Sequence, residues 1–558
     1  MYSYFLLKNQ QRNRFLLVLL LFCAIISNGQ ITPKILFDTH TKKEHYLPDF
    51  SFAGYHNGEK NLPNDDGTIV LASDFGVIAN DGLDDSKKLI KAIKEASKIN
   101  GKVTLQLPAG RLIISEIIYL ERSNFVLKGA GSGNLGTEIY FPRPLMYNKN
   151  PEDLKELREY LLQFDKRQRE KKNNIDLPFS QYAWSGGFIW TRVPGERVKS
   201  YLEKYKQPFS VKTKIKKGKR GTFSFEVDDT STINIGDVLL LQIFNKNGKE
   251  SQIIYELYQN TDVKIGSHHW NFPDLPLVTQ QIEVTAIKKN TITIKTPLTI
   301  DILPKYNAQL VEWKHLKEVG IENIKLTFPK SPRVAHHVEP GFNGIFLTRV
   351  YNSWVKNIVI ENADSGILTE EIANTTIKNI TTTGQNIAHY TVAMAGVHNV
   401  LGKNIKVYNK AVHPLSFNTF STKNVYLDCE VFVDPILDQH SGANHQNLFD
   451  NISVHLNPKK DHSYPLFAGG GAGYWKPSHG AYSTFWNIHI NFLSSLNNKK
   501  PLVLNGMKDG PFARLIGVYG NHPITIDYKP NAYIEATNVY LKNIPSLYHY
   551  QLNKRLNN

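Results

Sequence analysis

Residues 357–362 read Asn-Ile-Val-Ile-Glu-Asn, and this pattern decides the fold because it recurs along the C-terminal half of the chain. It returns as NIKVYN at 404–409 and as NISVHL at 451–456. Alternation with a period of two is typical of a short strand with one buried face. The units begin at Asn323, Asn357, Asn379, Asn404, Asn424, Asn451, Asn487 and Asn538. Short strands that recur at intervals of roughly 20 to 50 residues indicate a solenoid.

The composition of the repeat selects one kind of solenoid. Few helical periods occur within it, so a leucine-rich or ankyrin array fits badly, whereas a parallel β-helix fits well. An Asn side chain tolerates turn geometry, and its amide can bond to copies on the coils above and below. The sequence therefore predicts an all-β, right-handed parallel β-helix whose recurring Asn residues stack as a ladder at a tight bend.

The N-terminal part is consistent with this architecture. The segment 86–99 has apolar residues at helical spacing, and Asp84 or Asp85 is placed to cap it. We expect a capping helix here, followed by the first strands of the β-helix.

Three stretches carry a resemblance to a known superfamily. DFGVIANDGLDDSKKLIKAI (74–93), VTLQLPAGR (103–111) and FVLKGAGSG (125–133) resemble the N-terminal cap and first coils of the pectate-lyase-like β-helix superfamily. That resemblance implies the fold more firmly than an activity, because the superfamily includes lyases, hydrolases, epimerases and phage tailspikes. The preceding PDFSFAGYHNGEKNLP (48–63) resembles a subgroup from marine Bacteroidetes that includes an ulvan-oligosaccharide dehydratase and polysaccharide lyase-like proteins.

The chain divides into four predicted parts. Residues 1–29 read as a signal peptide, with basic residues before a short apolar run, so we expect a periplasmic or secreted protein with no membrane span after cleavage. Residues 30–148 would form the N-terminal cap and first coils, 149–310 an inserted helical and β-rich module, and 311–558 the main coils and C-terminal cap. We expect a monomer.

Charge and cysteine content limit the partners and the stabilising chemistry. The net charge of +16 favours a polyanionic partner. No nucleic-acid-binding motif is present, so an acidic polysaccharide or oligosaccharide is expected rather than nucleic acid. The alternative is a solvated lysine-rich surface. Only Cys23 and Cys429 occur, and signal cleavage would leave Cys429 alone, which excludes an intramolecular disulfide and a cysteine-based metal site in the mature chain.

Elimination on a uronate needs a base, an acid for the departing oxygen, and a cation beside the carboxylate. His413 and His440 each lie 11 residues before a repeat Asn (Asn424 and Asn451). Equal offsets predict that they line one open, cation-rich trough. Candidate catalytic residues are His413, His440, Tyr390 and Arg349; candidate substrate-binding residues are His445, Asp438, Tyr474, Trp475, Lys476 and His479. The last four belong to a Gly-rich loop interpreted as a lid.

These residues predict a carbon–oxygen lyase acting by β-elimination on an ulvan-like, uronate-containing glycan, either a polysaccharide lyase or an oligosaccharide dehydratase. A glycoside hydrolase using Asp438, Glu370 or Asp364 and a non-catalytic glycan-binding β-helix remain alternatives. The histidines could instead be core residues, and Arg349 could pair with Glu370 or Glu371. No metal ligand is assigned, although a site from Asp438, His440 and His445 and a role for Ca²⁺ both stay open.

Overall fold

The computed structural model gives a right-handed parallel β-helix with one inserted barrel, which confirms the predicted fold class. It describes residues 32–37, 46–164, 179–198, 208–244, 252–259, 275–333, 335–440, 442–459, 461–469, 478–494, 500–506 and 510–557. The predicted signal peptide lies outside these residues. No helix among them is long and apolar enough to span a bilayer.

The N-terminal part contains short strands and two helices. The strands are β1 (Thr68–Leu71), β2 (Val103–Gln106), β3 (Gly110–Ile113), β4 (Ile118–Leu120), β5 (Phe125–Lys128), β6 (Thr137–Tyr140) and β7 (Ile189–Thr191). The helices are α1 (Ser86–Ala96) and α2 (Lys155–Phe164). Helix α1 is the predicted cap. Its apolar face, which includes Leu89 and Ile93, is buried against the first coils, and Asp84 Oδ1 accepts the N–H of Ser86 at 2.8 Å.

The inserted module is a closed antiparallel barrel. Its strands are β8 (Val211–Gly218), β9 (Ser224–Val227), β10 (Val238–Phe244), β11 (Pro276–Lys288), β12 (Thr291–Ile294) and β13 (Asn307–Glu312), with α3 (Gln252–Tyr258) after β10. The predicted insert covered 149–310, but β7 within that range pairs in parallel with β4 and β16 of the β-helix. The barrel strands therefore span 211–312 only, because the chain completes one β-helix coil before it enters the barrel.

The remaining strands and a last helix complete the coils. They are β14 (Leu316–Lys317), β15 (Val319–Thr327), β16 (Asn343–Thr348), β17 (Val350–Tyr351), β18 (Trp354–Glu361), β19 (Ser365–Glu370), β20 (Thr376–Thr383), β21 (Ala388–Ala395), β22 (Leu401–Val407), β23 (Ala411–Phe417), β24 (Val425–Leu427), β25 (Glu430–Val431), β26 (Leu437–Gln439), β27 (Leu448–Asp450), β28 (Ser453–Leu456), β29 (Ser463–Tyr464), β30 (Thr484–Trp486), β31 (His489–Phe492), β32 (Leu502–Leu504), β33 (Ala513–Ile516), β34 (Tyr519–Gly520), β35 (Ile524–Ile526), β36 (Ala532–Glu535) and α4 (Leu547–Asn557).

Successive coils stack in register along parallel ladders. One runs β1–β2–β5–β15–β18–β20–β22–β24–β27–β30–β33–β36. A second face consists of β4, β7, β16, β19, β21, β23 and β26, in that spatial order, and it carries the candidate site. The core between the faces is formed by Ile, Leu, Val and Phe side chains such as Ile324, Ile358 and Ile380.

The predicted Asn ladder is present at a bend within the long strands. Asn357, Asn379 and Asn404 each donate Nδ2–H to Oδ1 of the Asn on the preceding coil, at 2.8, 2.9 and 2.8 Å. All three have a φ between 54 and 57°, the left-handed region that Asn tolerates. Each bend therefore gains an amide contact with its neighbours above and below.

Two members of the predicted repeat, Asn424 and Asn538, are out of register. The pairing of Ile516 with Glu535 places Ala536 on the ladder, two residues before Asn538. The position that follows Asn404 in the ladder is Asp428, whose Oδ1 accepts Nδ2–H of Asn451 at 2.8 Å. Asn424 lies four residues earlier and donates instead to Asn447 Oδ1 at 3.0 Å. The assignment of Asn424 to the repeat was therefore wrong. Its Asn-Val sequence resembles that of the ladder members, but its side chain belongs to a different buried Asn–Asn contact.

Candidate functional site

Four segments that are distant in sequence bring five histidines together, which we call the histidine cluster: His336, His337, His389, His413 and His440. The first two lie in the connection between β15 and β16, His389 lies in β21, His413 in β23, and His440 follows β26. Ring centroids of neighbouring members are 3.7 Å apart for His336 and His337, and 4.3 Å apart for His413 and His440. The cluster forms because parallel coils stack at about 4.8 Å and place neighbouring strands side by side.

Tyr390 lies inside this cluster. Its ring stacks on that of His389 at 4.2 Å and on that of His413 at 4.9 Å, and it lies 6.0 Å from that of His440. The pairing of β21 with β23 places Tyr390 directly beside His413. The structure thus brings together three of the four predicted catalytic residues.

The proximity of His413 and His440 was predicted, but the reason given for it was wrong. Equal offsets from Asn424 and Asn451 do not describe equal positions, because Asp428 and not Asn424 is the ladder residue. The register pairs Ser416 with Asp438 and Phe417 with Gln439, so His440 lies beyond the partner of Phe417 and not opposite His413. The two rings meet around the carboxylate of Asp438 instead.

Asp438 is the buried carboxylate that orients these two imidazoles. Its Oδ2 lies 3.1 Å from His413 Nδ1 and 3.5 Å from His440 Nδ1, and it accepts a hydrogen bond from Ser416 Oγ at 2.5 Å. Burial alone would raise the pKa of Asp438, but attraction to His413 and hydrogen bonds from both histidines outweigh it, so the pKa is lowered. Asp438 is therefore a carboxylate that fixes the orientation of the His413 ring.

A second carboxylate lies at the other side of the cluster. Glu339 Oε1 is 3.5 Å from His389 Nδ1 and accepts a hydrogen bond from Arg333 Nη2 at 3.1 Å. Burial raises the pKa of Glu339 to about 7, so the group can hold a proton near neutral pH. The cluster thus contains one ionised and one readily protonated carboxyl group.

Sequence reasoning missed the segment that contributes Arg333, His336, His337 and Glu339. Arg333 Nη2 lies 2.9 Å from His336 Nδ1, and its buried Nε has no hydrogen-bond partner among the described residues. All of the predicted site residues lie after this connection, from Arg349 onward. Its dense RVAHHVE pattern (333–339), placed just before a strand of the β-helix, was the signal that could have identified it.

The imidazoles are buried and do not line an open trough, which corrects the predicted arrangement. His389 is fully buried, and His413 and His440 are 6 and 7% exposed. The exposed edge of the cluster is the side chain of His336, which retains 40% of its accessible surface. Burial, followed by the charge of neighbouring groups, lowers the pKa of His336 to about 3 and that of His389 well below its usual value. The imidazoles of His336 and His389 are therefore neutral.

Arg349 is not part of the cluster. Asn343, at the start of β16, is in register with Ser365, Tyr390 and His413 on the following coils, so the cluster lies at that end of the strand. Arg349 follows the other end of β16. Along a six-residue strand this is about 20 Å away. Its Nη2 lies 3.0 Å from Glu371 Oε2, so the structural ion pair considered as the alternative is the observed one. The structure therefore does not bring Arg349 together with the other three predicted catalytic residues.

The predicted substrate-binding residues do not lie in one site. Asp438 lies in the cluster. His445 belongs to a different buried polar column. Its backbone pairs with that of Thr422, which pairs in turn with His398, and its Nδ1 lies 3.0 Å from Ala443 O. His479 is buried against Gly469 and Gly510. Tyr474, Trp475 and Lys476 lie outside the described residues, so the lid stays a prediction.

Two overlapping sets of side chains have the composition of a metal site. One consists of His336, His389 and His413, and the other of His413, Asp438 and His440. Within each set, one potential ligand atom per residue lies within 4.8 Å of the others. The cluster can thus support proton transfer through Tyr390 and the imidazoles, and it also contains the ligand types of a transition-metal site.

Comparisons with known proteins relate the chain to other β-helices only at low identity. No family model matches, and no curated protein matches the sequence. Among solved structures, the tailspike protein gp49 from Pseudomonas phage LKA1 is 11% identical, with 84% of this chain and 80% of that chain covered and a TM-score of 0.46. DFA-IIIase from Arthrobacter chlorophenolicus A6 in complex with DFA-III is 8% identical, with coverages of 86 and 88% and a TM-score of 0.36. The site must therefore be interpreted from its own chemistry.

Proposed function

We propose that this protein is a carbon–oxygen lyase that acts by β-elimination on a uronate-containing glycan. The observation that carries the proposal is that Tyr390 packs against His413 and His440, the two imidazoles that face the carboxylate of Asp438. Elimination requires a base for the C5 proton and an acid for the oxygen that leaves C4, and a phenol beside imidazoles supplies groups for both steps.

In this proposal Arg333, and not Arg349, neutralises the carboxylate of the substrate. The carboxylate of the uronate must be neutralised before its neighbouring proton becomes acidic. Arg333 lies beside His336 at the exposed edge of the cluster, and its unpartnered Nε can donate to a bound carboxylate. The acidic sugar enters from this edge, with its reacting carbon directed toward Tyr390 and His440.

Loss of a sugar from C4 makes the enzyme a polysaccharide lyase, and loss of water makes it an oligosaccharide dehydratase. Both reactions use the same groups. The positive net charge of the chain favours an acidic glycan, and the basic and apolar N-terminal stretch favours export to the periplasm or the medium. The resemblance of residues 48–63 to the marine subgroup makes ulvan the first glycan to assay.

A glycoside hydrolase is the second candidate, because the pKa values of two buried carboxyl groups are shifted in opposite directions. Glu339 has a pKa raised to about 7 by burial, whereas the pKa of Asp438 is lowered. Two carboxyl groups whose pKa values are moved in opposite directions suit a general acid and a base or nucleophile in glycoside hydrolysis. The histidine-rich surroundings of Tyr390 favour elimination over this alternative.

The test is an assay of the purified chain on ulvan, alginate and polygalacturonate. A lyase produces the ultraviolet absorbance of an unsaturated uronate, and a dehydratase produces it with loss of one water mass from an intact oligosaccharide. New reducing ends without that absorbance would overturn elimination in favour of hydrolysis. Glycan binding without any turnover would overturn both enzymatic assignments.

Tyr390→Phe is the sharpest variant, because it removes only a hydroxyl group. We expect kcat to fall by at least about 10²-fold, the contribution typical of a proton-transfer group, with the melting temperature near that of the wild type. Tyr408→Phe is the matched control, since Tyr408 is 46% exposed and stacks on Phe432 away from the cluster. Equal activity of the two variants would contradict a role for Tyr390 in proton transfer.

A further inference from the structure

The imidazoles of the histidine cluster have more nitrogen atoms than hydrogen-bond partners. His389 and His413 are buried, and the Nε2 atom of each has no hydrogen-bond partner among the described residues. A buried polar atom without a partner costs roughly 1 to 3 kcal/mol, so each such atom needs an explanation. The rings of His389 and His413 are neighbours, with centroids 5.5 Å apart. Their two nitrogen atoms without partners therefore point to a shared ligand.

We propose that His336, His389 and His413 bind one divalent transition-metal ion of the zinc class. Their potential ligand atoms already lie within 4.8 Å of one another. An ion about 2.0 to 2.1 Å from each nitrogen would require separations of about 3.4 Å. Rotations of the three side chains would give these separations, and His336 would exchange the hydrogen bond that its Nδ1 accepts from Arg333 Nη2 for the ion. Neutral imidazole is the form that binds such an ion.

The surroundings of these rings have the second-layer carboxylates that zinc-type histidines use. Glu339 Oε1 lies 3.5 Å from His389 Nδ1, and Asp438 Oδ2 lies 3.1 Å from His413 Nδ1. A carboxylate on Nδ1 fixes the tautomer and leaves Nε2 for the metal. Two of the three proposed ligands thus have a carboxyl group within 3.5 Å of Nδ1, which would accept this hydrogen bond once the rings turn onto the ion.

The alternative set of His413, Asp438 and His440 is less suited to a single ion. Asp438 already accepts a hydrogen bond from Ser416 Oγ and faces both imidazoles with the same Oδ2 atom. It is also deeply buried, whereas His336 lies at the exposed edge of the cluster. With His336 as a ligand, the ion would lie at the exposed edge of the cluster and would keep its fourth coordination position toward solvent, as catalytic zinc sites do.

Metal binding goes beyond the proposed reaction and is measured without a glycan. Only the use of the ion rests on the proposed function, where its positive charge would join Arg333 in neutralising a uronate carboxylate. A chain that binds metal but turns over no glycan would leave the metal site standing and refute the enzymatic proposal. A chain that turns over a glycan but binds no metal would refute the metal site and leave the enzymatic proposal standing.

The experiment removes metal from the purified full chain with a chelator and adds Co²⁺ or Zn²⁺. We expect one ion per chain by elemental analysis, with the visible absorption of Co²⁺ in a low-symmetry site. His336→Gln should lose that absorption and weaken Zn²⁺ binding by at least about 10-fold, and Asp438→Asn should weaken it by about 10- to 100-fold. His522→Ala is the control, since His522 bonds to Lys500 O on the exposed surface and should bind as the wild type does.

Three outcomes would overturn the proposal. They are the absence of stoichiometric metal, an unchanged Co²⁺ spectrum in folded His336→Gln, and loss of the spectrum in His440→Ala but not in His336→Gln. The last would assign the ion to the alternative set. Circular dichroism establishes that each variant is folded. Because His336 is partly exposed, its replacement leaves the core intact.

Discussion

Replacing Asn379 should destabilise the β-helix by an amount that the ladder contacts set. Its Nδ2–H donates to Asn357 Oδ1 at 2.9 Å, and its Oδ1 accepts from Asn404 Nδ2 at 2.8 Å. Its φ is 56°. Asn379→Ala removes two hydrogen bonds, each contributing about 1 kcal/mol, and forces a Cβ-bearing residue without a local polar side chain into the left-handed region for about 1 kcal/mol more. We expect a loss of about 3 kcal/mol in the free energy of unfolding.

Two further substitutions at this position separate the contributions. Asn379→Gly loses both hydrogen bonds but tolerates the backbone angle, so we expect a loss of about 2 kcal/mol. Asn379→Asp retains the acceptor for Asn404, as Asp428 does for Asn451, and loses one donor for about 1 kcal/mol. The expected order of stability is wild type, Asp, Gly, Ala.

Equilibrium urea unfolding followed by circular dichroism measures these differences. The comparison uses the transition of the coils, because a chain of this length can unfold in more than one step. Equal destabilisation of the Ala and Gly variants, within about 0.5 kcal/mol, would refute the backbone argument. A change below that size in all three would show that the ladder follows from the fold without stabilising it.

Two other predictions follow from buried charges. Arg349→Ala should lower stability by about 3 to 5 kcal/mol, because it leaves the buried Glu371 carboxylate unpaired, yet activity per folded molecule should stay at the wild-type level; a selective loss of kcat with an unchanged melting temperature would restore its catalytic role. The second prediction concerns acid. Burial lowers the pKa of His445 from 6.5 to about 4, so the unfolded chain binds the proton more readily than the folded one. The free energy of unfolding is therefore highest above pH 6.5 and falls by about 3 kcal/mol as the pH decreases from 6.5 to about 4. His445→Gln should flatten the stability profile in that window, and an unchanged slope in thermal unfolding would contradict the assignment.

Local chemistry made several features readable from the sequence. Alternating residues after a recurrent Asn predicted the strands and their bends, because period-two burial and the tolerance of Asn for positive φ are properties of a few adjacent residues. The same holds for α1, where apolar spacing and the pair Asp84-Asp85 predicted the helix and its start, and Asp84 is the acceptor observed. Tyr390, His413 and His440 were singled out because proton-transfer residues were dense in the coils that carry them.

The register between coils could not be read in this way. Asn424-Val425 has the same local pattern as the true ladder members, yet Asp428 occupies the ladder. Which of the two stacks on Asn404 depends on how the whole strand pairs with β22, and such pairing is decided by the combined burial of both strands. The offset argument for His413 and His440 failed for the same reason.

The sequence by itself thus determined the repeat, the all-β class and the residue types available for chemistry, since each depends on neighbours along the chain. Only the tertiary structure decided that Arg349 pairs with Glu371 and that Arg333, His336 and Glu339 join His389 and His413. These contacts join residues on different coils, so they depend on how the coils stack and where the connections fold back. The burial of the imidazoles, which governs both their charge and their capacity to hold a metal, is a property of that packing alone.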